Sequence, residues 1–162
     1  MKTNKVLFMT RAAMIAAIYV VLCVVFQPIS YGAIQTRIAE ALTILPFFTP
    51  AAIPGLFIGC LIANLLGGGI LVDVICGSAA TLIGAVGTYM LRNKSRYLAP
   101  LPPIAANVLL GPWVLRYGYG ESFSIPFLMG TVGLGELLTC GIMGMILVTV
   151  LDRYRCVIFK AA

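Results

Sequence analysis

Histidine is absent from this 162-residue chain, and charge is scarce, with eleven basic and five acidic residues making up 10% of the whole. Without imidazole there is no histidine acid–base chemistry and none of the usual histidine metal ligation. Soluble domains carry about 25% charged residues, so the composition argues against a soluble fold. The five cysteines, Cys23, Cys60, Cys76, Cys140 and Cys156, show no C-x-x-C spacing and read as small apolar packing residues. No Walker motif, metal-ligand set or activated nucleophile occurs. The sequence therefore points away from an enzyme, a metal site or a resident cofactor, and nothing in it supplies energy for pumping. No fixed-period repeat is evident, nor an inverted repeat of the kind that builds many secondary transporters.

What is present is hydrophobic. Apolar residues make up 61% of the chain and the mean hydropathy is +1.06. Nine of the eleven basic residues fall in three clusters: Lys2, Lys5 and Arg11; Arg92, Lys94 and Arg96; Arg153, Arg155 and Lys160. A charge at a bilayer centre costs at least about 2.5 kcal/mol, so the apolar stretches between the clusters read as membrane spans. Basic residues mark the cytoplasmic side. The net charge of +6 is then a cytoplasmic fringe that meets anionic lipid, with no nucleic-acid partner.

Proline and glycine punctuate the spans. Ala12–Ser30 is uncharged and long enough to cross. It is read as a retained helix, since no clear cleavage site follows the basic start. Tyr31 to Glu40 is a polar interruption. Ala41–Val72 is too long for one ordinary span, and its middle carries Pro46, Pro50, Pro54 and Gly55, which break a helix. The reading is an all-α integral membrane protein in one domain, a six-transmembrane-helix bundle. Its spans are about Ala12–Ser30, Arg37–Phe48, Ile53–Leu66, Val72–Leu91, Pro100–Tyr117 and Ile125–Leu151. Six spans place all three basic clusters on one side, with both termini cytoplasmic; merging the second and third would separate them.

The remaining polar groups are candidates for function. Gln35, Thr36, Arg37 and Glu40 open the second span, Asn64 closes the third, and Asp73 starts the fourth, where it suits a helix cap. Trp113 and Arg116 end the fifth, and Glu136 lies about three turns into the sixth. Asn107 is nearly alone in the inner half. This bias toward the outer half predicts a pocket open to the outside and no continuous pore. Arg37 and Glu40, three apart, share a helical face and form either an ion pair or ligand contacts. Glu136 needs a partner in lipid, such as Arg116, Arg37, a proton or a ligand. Trp113 fits an interfacial belt with Tyr117 and Tyr119, or a stacking surface for a flat ligand. Small residues recur at helical spacing at Ala12/Ala16, Ala13/Ala17, Gly55/Gly59 and Ala80/Gly84/Thr88, where helices can approach closely.

Four phrases carry a resemblance: Ile34-Gln-Thr-Arg-Ile-Ala-Glu-Ala-Leu42, Leu45-Pro-Phe-Phe-Thr-Pro-Ala-Ala-Ile-Pro-Gly55 running on to Asn64, Asp73-Val-Ile-Cys-Gly-Ser78 and Leu98-Ala-Pro-Leu-Pro-Pro103. They resemble the QueT family over nearly the whole chain. The resemblance implies a substrate-binding S component of an energy-coupling-factor (ECF) importer in a prokaryotic cell membrane. It implies uptake of a queuosine precursor, a 7-deazaguanine, in partnership with a transmembrane coupling protein and two cytoplasmic ATPases that hydrolyse the ATP. It also implies that small residues of the first helix, here Ala12, Ala13, Ala16 and Ala17, touch the coupling protein. A deazaguanine offers adjacent N–H donors, which Glu136 or Glu40 can accept, while Arg37 or Asn64 donates to its carbonyl. An autonomous secondary transporter or channel for a small polar solute is the competing reading, with Glu136 as its coupled acid.

Overall fold

The structure is a computed structural model that describes residues 2–27 and 37–154. Tyr31 to Thr36, Cys156 and the last basic residues, Arg155 and Lys160, lie outside the described residues. Every described element is helical, in the order α1 (Lys2–Val25), a 3₁₀ helix (Ile38–Phe47), α2 (Ala52–Leu66), α3 (Leu71–Leu91), α4 (Leu101–Trp113) and α5 (Ile125–Arg153). The N-terminal helix starts at Lys2, well before Ala12, because Lys, Asn and Thr near its start do not break a helix.

Four segments are long and apolar enough to cross a membrane: Lys5–Val25, Leu71–Leu91, Arg96–Gly118 and Ile125–Arg153. The segment expected as the second span, Arg37–Phe48, is a shorter apolar helix over Ile38–Phe47 with 3₁₀ winding. Ten residues of α-helix reach about 15 Å, whereas 3₁₀ winding at about 2.0 Å per residue reaches about 20 Å. Pro46 lies inside this helix and cannot donate a backbone hydrogen bond. Ala39, Glu40, Ala41, Thr43, Ile44 and Pro46 are all buried, so the segment is a plug of the bundle core, enclosed on most sides. The chain turns at Phe48–Ala51 and enters α2, as the Pro46–Gly55 phrase predicts.

Close approach sets the packing. A Cβ on Gly55 would lie 2.7 Å from the Ala12 carbonyl oxygen, and one on Gly59 would lie 3.1 Å from the Ala16 Cα. These contacts run α1 and α2 parallel. On the other side, a Cβ on Gly84 would come within 2.6 Å of the Pro103 Cα and one on Gly87 within 2.5 Å of the Pro102 Cβ. Thr88 adds a hydrogen bond to the Ala99 carbonyl at 2.8 Å. Contacts this tight maximise dispersion where lipid removes the hydrophobic driving force between helices. The outward side chains of the helices, among them Met14, Val21, Ile75, Ile83, Leu109 and Ile146, are apolar and exposed on the bundle surface, where acyl chains suit them.

Both long C-terminal helices are locally widened. Pro112 lacks an N–H and is followed by a π turn at Val114–Gly118; Glu136 is followed by a π segment at Leu137–Met143. Such wide turns occur often at functional sites. Val114 and Leu115 of the first, and Glu136 just before the second, line the cavity described next.

Candidate functional site

A cavity lies between the 3₁₀ helix, the first turns of α3, the second half of α4 and the first half of α5, at the end of the bundle opposite the Arg92–Arg96 cluster. Its polar lining is Arg37, Glu40, Asp73, Asn107, Tyr119 and Glu136. Val114, Leu115, Leu110 and Val132 supply apolar wall, and Gly77, Gly111 and Ala80 leave room. The cavity has a volume of about 50 Å³, space for a few waters.

Two carboxylates dominate the interior. Glu40 is 2% exposed and Glu136 is 6% exposed. In each, one oxygen is held by the protein. Tyr19 Oη donates to Glu40 Oε1 at 2.5 Å, and Asn107 Nδ2 donates to Glu136 Oε1 at 2.8 Å. The second oxygen of each, Oε2, is buried and meets no hydrogen-bond donor among the described residues. Buried polar atoms are nearly always paired, and leaving an acceptor unpaired costs about 1–3 kcal/mol, more when it is charged. Both residues line the same cavity.

The rim is a second polar unit. Arg37 and Asp73 form an ion pair at 3.4 Å, both largely buried. Tyr119 Oη donates to the same Asp73 oxygen at 2.8 Å. Asp73 therefore ties together the start of the 3₁₀ helix, α3 and the segment after α4. Burial and the bond to Asp73 hold Tyr119 above the usual phenol range, so it stays a donor at neutral pH.

Several sequence expectations change here. Asp73 does not cap α3; the cap position is Ile70, and no side chain caps it. Arg37 pairs with Asp73, so the expected Arg37–Glu40 ion pair gives way to a Tyr19–Glu40 hydrogen bond. Arg116 is not the partner of Glu136; its Nη1 donates to the carbonyls of Glu121, Ser122 and Phe123 and holds the loop before α5. Trp113 does not line the cavity. It is 52% exposed and stacks on Tyr117, with ring centroids 5.9 Å apart. Asn64 is buried one layer behind the wall. Its Nδ2 contacts Cys60 Sγ at 3.5 Å, and a Cβ on Gly77 would lie 3.1 Å from it. Of the five candidates, Arg37, Glu40 and Glu136 meet at the cavity, Asn64 supports it and Trp113 stands apart.

The alanines of α1 divide into two faces. Ala16 is buried, and Ala12 is partly covered, where α2 packs through Gly55 and Gly59. Ala13 and Ala17 are exposed on the other side. The Ala12/Ala16 stripe thus belongs to this chain's own packing, and Ala13 and Ala17 are left on the outer face of α1.

Two lining partners were missed. Tyr19 carries the one hydroxyl in the middle of an otherwise apolar first span, and a buried Tyr hydroxyl usually has a partner, which was the available signal. Asn107 was visible as an isolated amide, but the sequence gave no sign that it meets Glu136, 29 positions away.

No solved structure matches the chain. A curated relative, the queuosine precursor transporter QueT of Lactococcus lactis subsp. cremoris, is 40% identical over 85 residues, which are 51% of this chain and 50% of that protein. The chain thus aligns with about half the length of that relative. The model of the QueT transporter family matches residues 9–153, from α1 to the end of α5 and through every element that lines the cavity. This multi-pass membrane protein belongs to the QueT transporter family.

Proposed function

We propose that the chain is the substrate-binding subunit of an energy-coupling-factor importer and that its cavity takes a queuosine precursor, a 7-deazaguanine. The observation that carries this reading is the pair of buried carboxylates, Glu40 and Glu136, that line one cavity, each with an oxygen that meets no donor among the described residues. A deazaguanine is flat and carries adjacent N–H donors on one edge with a carbonyl beside them. A carboxylate accepts such donors in short charge-assisted bonds, and Arg37, paired with Asp73, lines the same cavity and has N–H groups suited to the carbonyl. The apolar wall of Leu110, Val114 and Val132 suits the faces of the ring. The relative's name supports the same class of cargo.

The sequence carries no nucleotide-binding motif, and the resemblance to ECF S components implies that two cytoplasmic ATPase partners, linked through a transmembrane coupling protein, hydrolyse the ATP. By the distribution of basic residues the cavity end faces outward, where it captures the precursor. The exposed Ala13/Ala17 side of α1 is the docking face for the coupling protein.

One observation favours a second reading. Two buried carboxylates sharing a cavity are also a place to carry protons, as an autonomous proton-coupled transporter needs. Proteoliposomes separate the two. With this chain alone, a labelled 7-deazaguanine should bind but not accumulate, with or without a proton gradient. Accumulation should appear only when the coupling protein, the ATPases and ATP are supplied. Gradient-driven uptake by the lone chain would overturn the proposal.

A further inference from the structure

Tyr119 marks the mouth of the cavity. Among the described residues that line it, Tyr119 is the one exposed residue, at 43%; the others are buried or half-buried. Its ring reaches from the outside to Asp73, where its hydroxyl donates at 2.8 Å. The backbone around it is held on both sides. Before it, Gly118 sits so close to Ile70 that a Cβ there would lie 2.6 Å from the Ile70 Cδ1. After it, Arg116 Nη1 gathers the carbonyls of Glu121, Ser122 and Phe123 at 3.2, 2.8 and 2.8 Å. The amides of Tyr119 and Glu121 donate to the carbonyls of Val114 and Leu115 at 3.2 and 3.1 Å. The main chain is thus anchored, while the tyrosine side chain is latched across the gap to α3. The cavity as it stands has room for a few waters. A fused two-ring base occupies more, so it enters only if part of the wall gives way.

We propose that the Tyr119 side chain is the door of this cavity: latched on Asp73 it closes the mouth, and released it swings outward on an anchored backbone and admits the solute. The role rests on reading the cavity as a solute site. A half-exposed ring changes between staggered rotamers without disturbing the main chain, and water satisfies the hydroxyl once it has left. Swinging away breaks a hydrogen bond to a carboxylate, so the latch sets how often the mouth opens. Asp73 keeps Arg37 as a partner when the tyrosine leaves, so the rim stays assembled while the door moves.

Cys76 lines the cavity, half-buried, and reports on the door without any solute. The full-length chain in lipid nanodiscs is exposed to a charged methanethiosulfonate reagent, and modification of each cysteine is followed by peptide mass spectrometry. Tyr119→Phe loses only the hydroxyl. It should speed modification of Cys76 by about threefold or more, the weight of one hydrogen bond. The buried Cys60 and Cys140 should stay as slow as in the wild type. Tyr119→Ala, checked for folding by size-exclusion profile, should speed Cys76 at least as much. Tyr117→Phe, on the exposed Trp113 stack, should change nothing. An unchanged Cys76 rate in Tyr119→Phe, or an equal effect of Tyr117→Phe, overturns the proposal. Equal acceleration at all three cysteines also overturns it, because the tyrosine would then hold the bundle together. A second arm follows a labelled 7-deazaguanine by stopped flow. Association and dissociation should both quicken in Tyr119→Phe; faster dissociation alone would make Tyr119 a ligand contact and overturn its role as a door. If the folded wild type binds no 7-deazaguanine, it is the reading of the cavity that fails, and the Cys76 rates alone decide the door.

Discussion

Replacing Tyr19 with Phe removes one oxygen from the centre of the bundle and little else. Tyr19 is fully buried, and its hydroxyl sits 2.5 Å from Glu40 Oε1. Glu40 Oε2 already lacks a donor. The variant therefore leaves a buried carboxylate with neither oxygen held by Tyr19 nor by a ligand. Hydrogen bonds between neutral groups of transmembrane helices average about 0.6 kcal/mol, whereas those to charged groups contribute about 1.5–3 kcal/mol. The expected loss is in the second range, about 1.5–3 kcal/mol, the range for a buried carboxylate that keeps its charge. Unfolding in mixed micelles by added denaturing detergent measures it, with the single tryptophan, Trp113, as a fluorescent reporter. A Tyr19→Phe and Glu40→Gln double-mutant cycle assigns the loss to the pair. A loss near 0.6 kcal/mol would refute the reasoning, because Glu40 would then be a neutral acid and the charge attributed to the cavity would be wrong.

Glu136→Gln should weaken ligand binding by about 1.5–3 kcal/mol, the contribution of a hydrogen bond to a charged group; unchanged affinity in titration calorimetry would make Glu136 structural. Gly84→Ala places a Cβ 2.6 Å from the Pro103 backbone, which has no rotamer with which to yield. It should destabilise the bundle by about 1–3 kcal/mol, and a variant as stable as the parent would show that α3 and α4 separate easily. Ala13→Leu with Ala17→Leu should abolish copurification with the coupling protein and leave ligand binding intact, since both residues are exposed on α1. Retained copurification would move the docking face elsewhere.

The sequence and the structure agree where local rules decide. Proline and glycine placed the Phe48–Ala51 turn, the start of α4 and the end of α2, where Gly68 takes a φ of +74°. The small-residue pairs Gly55/Gly59 and Gly84/Thr88 were legible because close helix approach in lipid demands them. Arg37, Glu40 and Glu136 stood out because a charge among apolar neighbours needs a reason. What was not legible is which partner each charge meets. Asp73 looked like a cap because its position near a helix start suits one. The Arg37 that claims it lies 36 positions earlier, and only the fold brings them together. Trp113 was assigned by depth, but depth does not fix which side of a helix a residue occupies. The 3₁₀ winding of Ile38–Phe47 also escaped, since an apolar segment buried all round has no amphipathic period to read.

The most direct measurement is equilibrium binding of a labelled 7-deazaguanine to the purified wild-type chain and to the double variant Glu40→Gln/Glu136→Gln. The account predicts saturable one-to-one binding by the wild type. It predicts a loss of at least about a hundredfold in the double variant, the combined effect of two charge-assisted contacts. No binding by the folded wild type, or equal binding by both proteins, would contradict it.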